Sequence, residues 1–137
     1  MAEFVILPAI LLGLIIGIVE LIFVHMDEAG MGWFTHALHA VPVAMLFTFI
    51  TMNVPWVLSI LSKTAGLKLA ASPIMELIVI IIIGLIAMVK TYAAAAIAGR
   101  VGEKRIHVLI IGVLIIAAPY VWRYLLANTI GQYLPFR

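Results

Sequence analysis

The sequence predicts an all-α integral membrane protein: four transmembrane helices in up-down order, one domain over residues 1–137, with both termini on the same side. Three observations predict it. The chain is 66% hydrophobic and only 10% charged, against roughly 45–50% and about 25% in soluble domains. Its apolar residues gather in four runs, each at or above the ~20 residues that a helix needs to cross ~30 Å of hydrocarbon. Polar or glycine-containing turns separate the runs, and what remains is too short for a soluble domain.

Residues 4–25 are apolar apart from Glu20, and the run ends at His25, Asp27, Glu28, Gly30 and Gly32. The leading Met1-Ala2-Glu3 lacks the positive charge of a signal peptide, so this first helix is expected to be retained. A second helix over about 34–61 exceeds a perpendicular crossing, which sets its first turns, with His36 and His39, at headgroup depth. Pro42 and Pro55 each remove a backbone donor and are expected to kink it.

After the polar connection 62–68, a third helix is expected from Pro73, a favoured first-turn residue, to about residue 98. Its isoleucine-rich centre would suit a strand in water. In lipid the backbone must satisfy itself within a helix or a closed barrel, and four such segments cannot close a barrel. The fourth helix covers about 106–124, with Pro119 near its end and Tyr120, Trp122 and Tyr124 around Arg123 as an interfacial aromatic belt. The tail 125–137 is expected to lie along that surface.

A net charge of +2 with scattered basic residues gives no reason to expect a nucleic-acid partner. The absence of cysteine removes disulfides, thiolate metal sites, thiol nucleophiles and covalently attached c-type haem. Lys63, Lys68, Arg123 and Arg137 fall on the side of the termini, Lys90, Arg100, Lys104 and Arg105 on the other, so the bias of basic residues sets no orientation.

All four histidines fall on the side opposite the termini: His25 closes the first helix, His36 and His39 open the second, and His107 opens the fourth. Asp27, Glu28 and Glu103 join them. His36 and His39 share a helix face, and imidazoles beside carboxylates are ligands that a transition metal accepts, so a metal or haem at this face is one reading. Below them the same face continues as Val43, Phe47, Ile50 and Val54, which makes any site shallow.

Glu20 is the most demanding residue, because an ionisable group inside a transmembrane helix is by default a functional candidate. It shares a face with Gly13 and Gly17, a GxxxG pair that invites close helix contact. Lys90, at similar depth on the third helix, is the expected partner in an intramembrane charge pair or ion site. The small residues 93–99, among them Ala94, Ala95 and Ala98, suggest close packing against a helix or another chain.

No catalytic residue is expected, and the leading functional expectation is a small non-catalytic membrane subunit that packs against itself or larger partners. The alternative is a proton- or cation-coupled transporter using Glu20. In its four helices, short length, weak charge bias and first-helix glutamate, the chain is similar in architecture to the small multidrug transporters. The motif residues that surround the glutamate in that family are absent here, so the likeness implies architecture alone. A third reading is a metal- or haem-binding subunit built on His25, His36, His39 and His107.

Overall fold

A computed structural model of the chain describes residues 3–27, 32–66, 72–97 and 104–134, with backbone alone at 94–97. It is all-helical: α1 Leu7–Asp27, α2 Trp33–Thr64, α3 Pro73–Ile97 and α4 Arg105–Val121. Each of the four is long and apolar enough to cross a membrane, α4 together with the turn that follows it. The helices start and stop within three residues of the sequence expectation. Ala98, at the end of the expected third helix, lies outside the described residues.

The start of α3 shows local cause clearly. Ser72 accepts the Met75 N–H at 3.2 Å through its hydroxyl, Pro73 occupies the first turn where its missing donor costs nothing, and Glu76 adds an acid near the positive helix end. Glu76 in turn accepts from Arg123 at 2.7 Å. The Arg123 side chain is 42% exposed, so this pair fixes the position of the tail more than it adds stability.

α1 packs most closely on α2. A Cβ added at Gly13 would stand 2.9 Å from Met45 Cα, and one at Gly17 3.0 Å from Val41 Cα, so the two backbones nearly touch along this line. Later residues of α1 meet earlier residues of α2. The core joins Ala9, Ile16, Ala44, Phe47, Met52, Ala87, Ile111 and Ile115 from all four helices.

Glycines also bring α3 and α4 together. The Gly84 position faces Ile116, and Gly112 faces Met88, each with a side chain where a Cβ would stand. Ile80, Gly84 and Ala87 form a buried line along α3 at this contact. The side chains of Ala94 and Ala95 lie outside the described residues. Away from this line α3 turns outward with Ile74, Ile78, Ile82, Leu85, Ile86 and Val89 all exposed.

α2 runs as one helix through Pro42 and Pro55. α4 behaves differently at Pro119, two residues before it gives way to a π turn at Trp122–Leu126, where Ala127 N–H bonds Trp122 C=O at 2.8 Å. A short 3-10 turn, Gly131–Tyr133, then brings Gly131 against the Trp122 ring.

Pro119 also leaves the carbonyl four residues back, Ile115, without its usual amide donor. The fully buried Thr51 of α2 offers its hydroxyl in place of that donor, 3.2 Å from Ile115 O and shared with Thr48 O at 3.0 Å. Thr51→Val is expected to cost about 0.5–2 kcal/mol of stability. In a Pro119→Ala background, where an amide can serve Ile115, that cost should shrink; an unchanged cost in a double-mutant cycle would refute the link.

Candidate functional site

The polar groups singled out in the sequence cluster where α1 ends and α2 and α4 begin. They form two pairs rather than one cluster, and helix geometry explains the division. His25 and Asp27 are two residues apart, so at roughly 100° per residue they leave α1 in nearly opposite directions. His25 turns to α2 and Asp27 to α4.

On the α2 side, His25 Nδ1 stands 3.2 Å from His36 Nδ1, and the His25 ring stacks on Trp33 with centroids 3.7 Å apart. The facing nitrogens form one hydrogen bond, so one ring donates and the other accepts. His36 is buried at 1% exposure, because α2 turns it inward on the line of Ala40 and Ala44. His39, a turn later, is exposed.

On the α4 side, Asp27 closes α1 and gathers the start of α4. Its Oδ2 accepts from Lys104 N–H at 2.9 Å and stands 2.6 Å from His107 Nδ1, and the Lys104 ammonium is 3.3 Å from Oδ1. The Asp27 side chain is 1% exposed beneath Lys104. The His107 ring lies flat against Phe23, centroids 4.2 Å apart and planes 8° from parallel. An Nδ1–H donated to the carboxylate leaves Nε2 as the acceptor of a neutral ring.

Glu20 is buried at 4% exposure on the packed face of α1. The side chain that reaches it is Thr91 of α3, and its Oε2 has no hydrogen-bond partner among the described residues. Lys90 is exposed and joins no ion pair among the described residues. The expected Glu20–Lys90 contact is thus replaced by a Glu20–Thr91 contact, for a reason of helical phase. Thr91 continues the buried line of Ile80, Gly84 and Ala87, whereas Lys90 stands roughly 60–120° away from it.

No family model matches the chain, and neither a curated protein nor a solved structure is significantly similar to it. The site must be read from its own chemistry. Among the described residues no group of three or more His, Asp or Glu side chains is placed to hold a metal ion. Glu28 and Glu103 lie outside the described residues. The metal reading is left with the His25–His36 pair and no third ligand among the described residues.

A second polar site escaped the sequence reading. Asn53, 4% exposed on α2, brackets Val5, which precedes α1: its Oδ1 accepts Val5 N–H at 2.8 Å and its Nδ2 donates to Val5 O at 3.0 Å and Phe49 O at 2.9 Å. Phe4 packs beside it on Phe49 and Trp56. A signal was present in the sequence, since a lone amide in an apolar helix needs a partner. It did not say which backbone would come to meet it.

Between α3 and α4, Met88, Val89, Tyr92, Arg105 and Val108 line an open cleft of about 340 Å³. Apart from Arg105 and the Tyr92 hydroxyl its lining is apolar, and none of the histidines contributes to it.

Proposed function

We propose that the chain is a small non-catalytic multi-pass membrane protein, threaded up and down through the bilayer with both ends on one side, that serves as a subunit packing against itself or a larger membrane protein. One observation carries the reading. The outer surface of the four helices is largely apolar, with exposed Ile10, Leu14, Ile18, Leu46, Ile82 and Val113 spread over all of them, while most polar side chains other than Lys90 turn inward or to the helix ends. In water such a surface would aggregate; in lipid it is solvated. α3 presents the widest such face and is the natural surface for a further helix.

Because the chain has no cysteine, single cysteines test the threading directly. Gly32→Cys, in open space before α2, and Ser62→Cys, near its end, should react with a membrane-impermeant maleimide from opposite faces of oriented vesicles. Labelling of both from one face would overturn the crossing.

A second reading is favoured by Glu20. A buried carboxyl with an unpartnered oxygen and, among the described residues, no cationic neighbour is a place to carry a proton or a small cation, as a coupled transporter requires. Ion or proton movement into proteoliposomes, abolished in Glu20→Gln, is the result that would place this reading ahead; flux equal in the variant would remove it.

A further inference from the structure

Resting on the second reading, we infer that Glu20 is a proton-binding site reached from the histidine end of the bundle, with His107 as its entry relay and Phe23 as the barrier between them. Glu20, Phe23 and Asp27 follow one another at i, i+3 and i+7, so they share one face of α1. The rise from Glu20 to Asp27 is about 10 Å, and Phe23 stands about 4.5 Å above Glu20 on that path.

His107 spans the upper part of the path. Its ring covers Phe23 and its Nδ1 is held by Asp27. The side chain is 14% exposed, so its edge reaches the surface while Glu20, a turn beneath Phe23, does not. Among the described residues the groups around this route are His25 and Asp27 on α1 itself, His36 on α2, Lys90 on α3, His107 on α4 and Lys104 just before it. Among the described residues only His107 touches both the barrier and an anchoring carboxylate.

The proton balance is simple. Nε2 of His107 takes a proton from a hydronium ion at the surface, leaving water and giving an imidazolium that Asp27 steadies. When the Phe23–His107 stack opens, one water enters. The Nε2–H bond breaks and an Oε2–H bond forms on Glu20 through that water, which returns the ring to neutral and leaves Glu20 as the uncharged acid. Ionised, Glu20 would bury a charge with one oxygen unpaired, at a cost of several kcal/mol; the acid avoids it. Thr91 is left to orient the carboxyl, and Asp27 is a positioning residue that keeps the His107 ring over Phe23.

The test is infrared spectroscopy of the full chain in vesicles. The carboxyl stretch of Glu20, assigned by its loss in Glu20→Gln, is followed in time after transfer to heavy water. His107→Phe keeps a ring on Phe23 and loses the two ring nitrogens, and it should slow exchange by on the order of a hundredfold. Phe23→Leu keeps apolar bulk but loses the stack, and it should speed exchange severalfold. Where His107→Phe fails to fold, His107→Gln, which can still bond Asp27, should show the same slowing. Wild-type rates in the His107 variants overturn the relay, and a wild-type rate in Phe23→Leu overturns the barrier. A Glu20 band that exchanges but never changes with pH removes the proton-loading reading alone, and no Glu20-dependent band at all removes both.

Discussion

Asn53→Leu is expected to destabilise the protein by about 2–4 kcal/mol, more than any other single change to a polar residue of α2. The substitution keeps the volume and removes three hydrogen bonds at once, two of them to Val5. Phe49 O lies within α2 and keeps its helical partner. Val5 N–H and C=O do not, because they precede α1 and have no helical partner of their own. Each buried backbone group left unsatisfied costs ~1–3 kcal/mol, and in a bilayer water is poorly placed to replace the partner. Asn53→Asp separates the two halves of the interaction, since a carboxylate accepts from Val5 N–H but cannot donate to Val5 O. It should therefore fall between wild type and Asn53→Leu where the residue is wet, and at or below Asn53→Leu where it is dry. Reversible unfolding in mixed micelles measures the difference. A loss in Asn53→Leu no larger than that in Thr51→Val would show that Val5 finds other partners.

The same residue shows where sequence reading succeeds and where it stops. Helix existence was legible because a bilayer allows few alternatives: a run such as 73–98, rich in isoleucine, has no other way to satisfy its backbone. The need for a partner was legible for the same reason at Glu20, His36 and Asp27, whose side chains are buried, whereas His39 is exposed. Their partners were not, because partnership depends on helix phase and tilt. His25 and Asp27 looked like members of one cluster until their opposite directions on α1 placed one against α2 and the other against α4. Lys90 matched Glu20 in charge and depth, yet Thr91 held the inward position. Asn53 and Thr51 stand out less, because a single amide or hydroxyl within an apolar helix shows its need for a partner only once the neighbouring backbone is in place. A better guide was available in Pro119: a proline within a helix leaves the carbonyl four residues back in need of a donor, and a threonine on a neighbouring helix is an obvious candidate.

Gly13→Ala and Gly17→Ala should be the most damaging of the glycine substitutions, and the reason lies in what each new methyl meets. At both positions the nearest atom is backbone, Met45 Cα at 2.9 Å and Val41 Cα at 3.0 Å. A backbone atom cannot swing aside, so α1 must move off α2, at about 1–3 kcal/mol for each site on the usual scale of overpacking. The two sites lie one turn apart on the same contact line. Once the first methyl has separated the helices the second meets less resistance, so the double variant should cost less than the sum. Gly112→Ala is the instructive contrast. The three atoms nearest its new methyl all belong to the Met88 side chain, an unbranched thioether with several rotatable bonds that can repack. Gly84→Ala, against the stiffer Ile116, should fall between. The expected order of loss is Gly13 and Gly17, then Gly84, then Gly112, read as unfolding free energies under one set of conditions. The consequence reaches the site, because Gly17 sits one turn before Glu20 and on the same interface as the His25–His36 contact. Displacing α1 there should lengthen the 3.2 Å Nδ1–Nδ1 approach, visible as loss of the shared-proton signal in imidazole nitrogen spectra of Gly17→Ala but not of Gly112→Ala. Equal losses of stability at Gly13 and Gly112, or an unaltered histidine signal in Gly17→Ala, would show that the α1–α2 contact is not what holds this end of the bundle in register.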